Sequence, residues 1–467
     1  IKQSDDVSML GAFGRSKETF SRDTRVMHPS EIGIMSEATK DSSDVGITAY
    51  MSAAPKLESL RGVTGKIDWK EDGLTSVLST TGLLMYGSTQ DDPKRSNFAN
   101  IQASHVIPIA SAKASGVRTG YEAIIAMRAG DKFANIAKLD GRVMDVTKNI
   151  IHVEYVDKNG TTSVEKIPLK EWTTKEEAGS CYTHKIVANM VKNEKFVAGD
   201  TLAYDSLFFE PDIFNKNRVI YKSSTDLNVV LMEDIQTFED SCAISGSVAK
   251  KLSTITTKVK SVIVDNTDEI INMVKVGDAV EPSTPMFSIT DPSIMKMKGL
   301  DEKAIATLQK IKGATPKAKV RGTISKIVIY YNSEIEELSD TLKELIKVSD
   351  KRLVEIHGKK THTGKVNTTY SVDGNRLQDG QVEIKIYINV PVGMGVGDKA
   401  IFANQLKTTV GEVFHHSMET AGDKTPIEAI FSTKSVAARI VTSPMTIGTT
   451  NTVLERLAKK AVEIYFK

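Results

Sequence analysis

Two lysines follow a glycine-rich run in a part of the chain that alternates strongly between apolar and polar residues. Lys399 and Lys407 are eight residues apart, just after the glycines of residues 393–397. Phosphoryl transfer needs cations held in this way, because negative charge gathers on phosphate oxygens in its transition state. Taken alone, two lysines at this spacing more often lie on a solvated strand edge. The pair is therefore a candidate cationic site, which other residues must support.

Two adjacent carboxylates and one arginine are the other candidates. Glu239 and Asp240 come directly after an apolar run, and carboxylate oxygens are ligands that Mg²⁺ prefers. The guanidinium of Arg439 offers a planar fork that can grip phosphate oxygens in pairs. Each group also has a plainer interpretation, a strand-end turn for the acids and a surface salt bridge for the arginine.

Strands dominate the segments that must position these residues. Apolar side chains at 382, 384, 386, 388 and 390 share one face of a predicted strand. Asn159-Gly160 predicts a hairpin within 150–167, and residues 256–265 and 326–331 are also strand-like. Gly-Asp turns are predicted at Gly199-Asp200, Gly277-Asp278 and Gly397-Asp398.

Fewer segments have helical patterns. Ser333 and Glu336 form a capping-box pattern that predicts a helix to about Asp350. A second helix is predicted from Asp301 to Gly313, and a third over 452–465. The second carries Ile305, Leu308 and Ile311 on one face.

Composition excludes several classes of protein. With 467 residues, 40% hydrophobic and 26% charged, the chain is expected to fold into roughly three domains or one multi-lobed body. A formal net charge of +2 excludes a bulk polycation, and two cysteines are too few for a disulfide framework. No apolar run approaches ~18 residues, so we expect a soluble, unsecreted protein without a membrane partner. The low number of cysteines leads us to expect a reducing compartment.

Common nucleotide and metal motifs fail on spacing. Residues 393–397 read GxGxG without a helix start after them, so they do not predict a dinucleotide site. Residues 358–365 miss the phosphate-binding loop pattern. His415 and His416, if on a strand, point to opposite faces and do not predict a shared metal.

Four stretches, in collinear order over about 430 residues, resemble the C-terminal half of the β subunit of multisubunit DNA-directed RNA polymerases. They are Val7-Ser8-Met9-Leu10-Gly11 through His28-Pro29 and Gly33; Ile101-Gln102, Val106, Pro108 and Gly116 to Glu122; Asn228 to Met232 with Phe238-Glu239-Asp240-Ser241; and Val396-Gly397-Asp398-Lys399, Lys407, Thr425-Pro426-Ile427-Glu428 and Arg439. The match starts midway through a typical β subunit and ends before its clamp segment. A split β subunit of a giant bacteriophage fits this extent best.

The resemblance implies a β-rich, multi-lobed α+β fold with a double-psi β-barrel catalytic core and a flap or wall lobe. The expected regions are a fork-loop and external region (1–95), an external or hybrid-binding region with hairpins (96–225), the barrel and hybrid-binding core (226–270, 320–332 and 381–441), the flap lobe with helical insertions (271–380) and a C-terminal anchor helix (442–467).

The resemblance also implies roles for the candidate residues. Lys399 and Lys407 would contact the RNA 3′ end and the incoming nucleotide, and Arg439 the triphosphate. Asp240, with Glu239 beside it, would reach the nucleotide-bound Mg²⁺ directly or through water. The permanent Mg²⁺ would belong to a separate β′-type chain, because this sequence has no DxDxD triad.

Further partners follow from the same resemblance. They are the missing N-terminal β fragment, template DNA, the RNA transcript, nucleoside triphosphates and an initiation factor at the flap helix of 301–313. The expected location is the cytoplasm of an infected bacterium or the virion.

This chain departs from the family at several positions. Ala403-Asn404 replace an Arg-His pair between the lysines, the run 36–46 replaces PIETPEGPNIG, and Ile34 replaces an arginine, which puts one triphosphate contact in doubt. Two alternatives remain open. One is a single-chain two-barrel polymerase, which would need the triad in this chain. The other is a non-catalytic nucleic-acid-binding or structural protein on a polymerase-derived fold.

Overall fold

In a computed structural model of the protein, the described residues are 6–59, 65–68, 70–85, 91–175, 179–222, 224–290, 315–357, 364–367, 369–372, 374–439 and 441–466. About 22% of the chain is helix and 35% is strand, and some of the sheets are curled into half-barrels. The predicted β-rich α+β class is confirmed. The helix predicted over 301–313, with Ile305, Leu308 and Ile311, lies outside the described residues. None of the helices in the described ranges is both long and apolar enough to cross a membrane.

The helices are α1 (Thr80–Leu84), α2 (Pro93–Ala103), α3 (Tyr121–Arg128), α4 (Gly246–Lys251), α5 (Asp340–His357), α6 (Thr433–Ala437) and α7 (Ser443–Tyr465). The strands are β1 (Asp6–Ser8), β2 (Met35–Thr39), β3 (Thr48–Met51), β4 (Ala134–Ile136), β5 (Asp140–Val146), β6 (Ile150–Val156), β7 (Thr162–Pro168), β8 (Glu171–Lys175), β9 (Cys181–Ala188), β10 (Lys195–Phe196), β11 (Thr201–Asp205), β12 (Phe209–Pro211), β13 (Val219–Tyr221), β14 (Val229–Leu231), β15 (Ser241–Ser245), β16 (Thr254–Asp265), β17 (Glu269–Ile271), β18 (Ala279–Val280), β19 (Ser288–Thr290), β20 (Gly322–Asn332), β21 (Ser371–Val372), β22 (Asn375–Arg376), β23 (Gln381–Val392), β24 (Lys399–Phe402), β25 (Leu406–Phe414) and β26 (Ala429–Phe431).

The chain forms two compact units, each assembled from separated segments. The first contains Ile1–Gly130, Phe208–Ser253 and Gly393–Lys467, and the second contains Asp131–Leu207 and Thr254–Val392. Segments that the resemblance assigns to one barrel core therefore contribute strands to both units.

The first unit contains a mixed five-stranded sheet in the order β14-β26-β15-β25-β24. β14 pairs with β26 and β15 with β25 in parallel, whereas β24 and β25 form an antiparallel hairpin. Its core face is apolar, because alternate side chains of β25 turn inward. The buried members of this core are Cys242, Ile244, Val248, Leu406, Val410, Ala429 and Phe431.

The second unit contains an antiparallel sheet in the order β16-β23-β20-β18. The predicted alternation of residues 382–390 is confirmed, since Val382, Ile384, Ile386 and Ile388 are at most 1% exposed. Leu342 of α5 belongs to the same core. The alternation therefore positions a central strand, paired on both sides, over one hydrophobic layer.

Local turn signals are confirmed in the second unit and near the lysines. β6 and β7 pair across Asn159-Gly160 as predicted. Gly199, Gly277 and Gly397 have φ values of 94°, 101° and 91°, a region that favours glycine.

The predicted capping box is wrong. Residues 335–337 form a separate 3-10 turn, and α5 begins only at Asp340 and continues to His357, beyond Asp350. Ser333 is 6% exposed, at the end of β20, and its hydroxyl accepts no hydrogen bond from the described chain. Ser339 instead accepts from the Leu342 N–H at 3.4 Å, so the helix starts six residues later than the capping pattern predicts. The C-terminal helix begins at Ser443 rather than at 452.

Candidate functional site

The hairpin of β24 and β25 presents both predicted lysines on one face. Lys399 lies opposite Thr409, and Lys407 lies opposite Ile401. Side chains of directly opposed residues share a face, so the two lysines are diagonal neighbours, about 7–8 Å apart by the usual geometry of such pairs. Both are exposed, whereas Leu406 and Val410 face the core. The structure therefore places both lysines on the solvent side of the hairpin.

The hairpin turn contains two residues in the left-handed backbone region. Ala403 and Asn404 have φ values of 48° and 66°. They are the residues that stand where the family has Arg-His. Asparagine adopts this conformation readily, but alanine pays a steric cost of about 1–2 kcal/mol. The turn is followed by Gln405, which is 1% exposed and anchors the hairpin.

Asp240 and Arg439 join the hairpin at the adjacent strand. The backbone carbonyl of Asp240 accepts at 2.8 Å from the N–H of Thr409, the residue that opposes Lys399. One guanidinium nitrogen of Arg439 donates to Asp240 Oδ1 at 2.5 Å, and another donates to the Ser435 carbonyl at 3.3 Å. The Asp240 side chain is 60% exposed and that of Arg439 is 23% exposed. The ion pair is thus open to solvent on its carboxylate side.

Glu239 occupies the turn before β15. Its φ of 57° is in the left-handed region, and its carbonyl accepts a hydrogen bond from the Ser435 hydroxyl. Glu239 thus lies in a bend just before a strand. Because of this bend, the side chains of Glu239 and Asp240 do not alternate as they would on an extended strand. Both carboxylates are exposed.

Arg95 is a site residue that the sequence interpretation missed. Burial lowers the pKa of Arg95, and the nearby positive charge of Arg439 lowers it further, while Asp91, Asp92 and Asp240 raise it. These interactions put the α2 guanidinium within electrostatic range of Asp240 and Arg439. Pro93 at the start of α2 and the cap by Asp92, which accepts from the Lys94 N–H at 2.8 Å, orient this first turn. No local pattern around Arg95 indicates the contact.

Asp91 connects three segments of the site. Its carboxylate accepts from Gln405 Nε2 at 2.9 Å, from the Thr442 N–H at 2.9 Å and from the Ser443 hydroxyl. Burial by itself raises the pKa of Asp91, but the hydrogen bonds from Ser443, Thr442 and Gln405 outweigh it and lower the pKa to about 2. The ionised carboxylate thereby fixes the hairpin turn, the start of α2 and the start of α7.

Glu233 fixes the short helix that carries Ser435. Its Oε1 accepts from the Ser432 hydroxyl at 2.9 Å, the Thr433 hydroxyl at 2.6 Å and the Lys434 N–H at 2.8 Å. These bonds, with Thr433 the strongest, lower the pKa of Glu233. A carboxylate at the N-terminus of α6 is also favoured by the helix dipole. Arg439 lies two residues after α6, and its guanidinium donates to the Ser435 carbonyl of this helix.

Comparison with known proteins gives no assignment: no protein-family model matches the chain, and no curated protein is significantly similar to it. Among the residues that the structure describes, no group of three or more His, Cys, Asp or Glu side chains is arranged to hold a metal ion. Asp240 is the exposed carboxylate beside the cations, and one of its oxygens is bound by Arg439.

Proposed function

We propose that this chain is a β-type subunit fragment of a phage-encoded multisubunit DNA-directed RNA polymerase. The observation that carries the proposal is the convergence of the Lys399–Lys407 face with Asp240 and Arg439 at one end of the five-stranded sheet. These are the residues that the family resemblance assigns to the nucleotide and the RNA end. They come from segments up to 199 residues apart, so sequence proximity does not explain their meeting.

The chemistry of the proposed site is the stabilisation of phosphate charge. Lys399 and Lys407 present mobile point charges to the solvent side of the hairpin, whereas Arg439 and Arg95 present planar donors nearby. Cations that are already in position at the reacting phosphates lower the barrier without reorganisation. In this proposal the lysines hold the RNA end and the incoming nucleotide, and Arg439 binds the triphosphate.

The proposed metal role is limited to one carboxylate. Asp240 fits a nucleotide-carried Mg²⁺ because it is exposed and lies beside the cations, and Glu239 would support it from the turn. When bound, Mg²⁺ neutralises phosphate charge and orients the oxygens of the leaving group. Asp240 would exchange part of its contact with Arg439 when a triphosphate binds, so that the arginine turns to phosphate.

The finer parts of the proposal concern fold and partners. We propose that the curled sheets belong to a double-psi β-barrel core, and that 271–380 corresponds to the flap lobe, which would dock an initiation factor. A separate β′-type chain would supply the aspartate triad that holds the permanent Mg²⁺, since this sequence lacks DxDxD. Template DNA and the transcript would complete the proposed assembly.

One observation favours the non-catalytic alternative. The 2.5 Å contact between Arg439 and Asp240 neutralises both groups within the chain, as a purely structural ion pair would. The exposed lysine face favours the catalytic proposal, because no acid opposes Lys399 or Lys407 across the hairpin.

The proposal is tested by primed-template extension with the chain alone and with an added chain that carries an aspartate triad. We expect RNA synthesis only from the combination, and we expect the two chains to co-purify. Extension by the rigorously purified chain alone, abolished by Asp240→Ala, would revive the single-chain polymerase. Stable binding of the two chains without any extension would favour the non-catalytic alternative.

A further inference from the structure

We draw no further inference here: the strongest candidate, the apolar surface of the C-terminal half of α7, where Leu457, Val462, Ile464 and Tyr465 are 56–82% exposed, is an unpartnered helix face, and nothing in the structure shows what covers it.

Discussion

β23 and β25 show the same alternation of apolar and polar residues, but their polar faces have different surroundings. In β23, of the second unit, Val382, Ile384, Ile386 and Ile388 are buried in a core, while Lys385 on the other face lies over the rings of Tyr330 and Tyr370. In β25, of the first unit, Leu406 and Val410 are buried, but Lys407 on the opposite face is open to solvent.

The difference between the two polar faces arises from the elements that surround each strand rather than from the sequence pattern of the strand. β23 is paired on both sides by long antiparallel strands over 12 and 9 residue pairs, and its polar face is filled by the buried Glu383 and the rings of Tyr330 and Tyr370. β25 lies between the short β24 and the parallel β15, and its polar face meets a turn and one ion pair. Alternation alone thus predicts a half-buried strand, while the surroundings decide whether the second face is free for a ligand.

The largest expected effect is on the core of β23. Ile386→Ala should destabilise the second unit by about 2–5 kcal/mol, because it opens a cavity in a fully buried layer. Hydrogen exchange of β16 peptides measures the loss, and Lys258→Ala on the same sheet serves as the exposed control, expected within about 0.5 kcal/mol. Exchange of β25 peptides should change little. Unchanged protection of β16 would contradict the role of β23 as the core strand.

The polar face of β25 should show the opposite behaviour, with activity lost and stability kept. Lys407→Ala should slow nucleotide addition by the combined complex roughly a hundred- to a thousandfold, about 2.7–4 kcal/mol, since one preorganised cation is removed. Lys399→Ala should behave similarly. Lys166→Ala, an exposed strand lysine of β7, is the control in the same primer-extension assay. Rates for Lys407→Ala within a few fold of wild type would contradict the site assignment.

The attachment of the hairpin to its neighbours should depend on pH through Asp91. A pKa lowered from 3.8 to about 2 corresponds to about 2 kcal/mol of stability, present above pH 3.8 and lost as the pH falls towards 2. Asp91→Asn should therefore increase hydrogen exchange in β25 and α7 at neutral pH.

The difference between Asp91→Asn and wild type should narrow as the pH falls from 3.8 towards 2, because the wild-type carboxylate is protonated first in the unfolded chain and in the folded chain only near its lowered pKa. Asp92→Asn, an exposed neighbour, controls for charge alone. An equal difference between Asp91→Asn and wild type at pH 7 and at about pH 2 would show that ionisation of Asp91 does not hold the hairpin.

The smallest expected effect concerns the hairpin turn. Ala403→Gly should stabilise the first unit by up to about 1 kcal/mol, because glycine removes the strain of a positive φ but costs more chain entropy. Asn404→Gly should gain less, since asparagine tolerates this conformation. Urea unfolding followed by exchange of β25 peptides measures both. Destabilisation by Ala403→Gly would contradict the left-handed geometry of the turn.

Short-range features could be predicted from the sequence. The alternation of residues 382–390, the hairpin at Asn159-Gly160 and the Gly-Asp turns depend on local sterics and on side-chain direction, which neighbouring residues determine. The lysines, Asp240, Glu239 and Arg439 could be proposed as candidates because the resemblance rests on motifs in order along the chain. Their functional roles remain predictions.

Contacts between distant segments were decided only by the tertiary structure. Asp91 meets Thr442 across 351 residues, and Arg439 meets Asp240 across 199 residues, without any local signal in the sequence. Ser333 is a similar case. The sequence around it matches a capping box, but the end of β20 buries this residue, and it does not cap the helix. Residue types determined which chemistry was available in this protein. Strand pairing and burial decided which groups meet, because the free energy of those contacts depends on neighbours that lie far away along the chain.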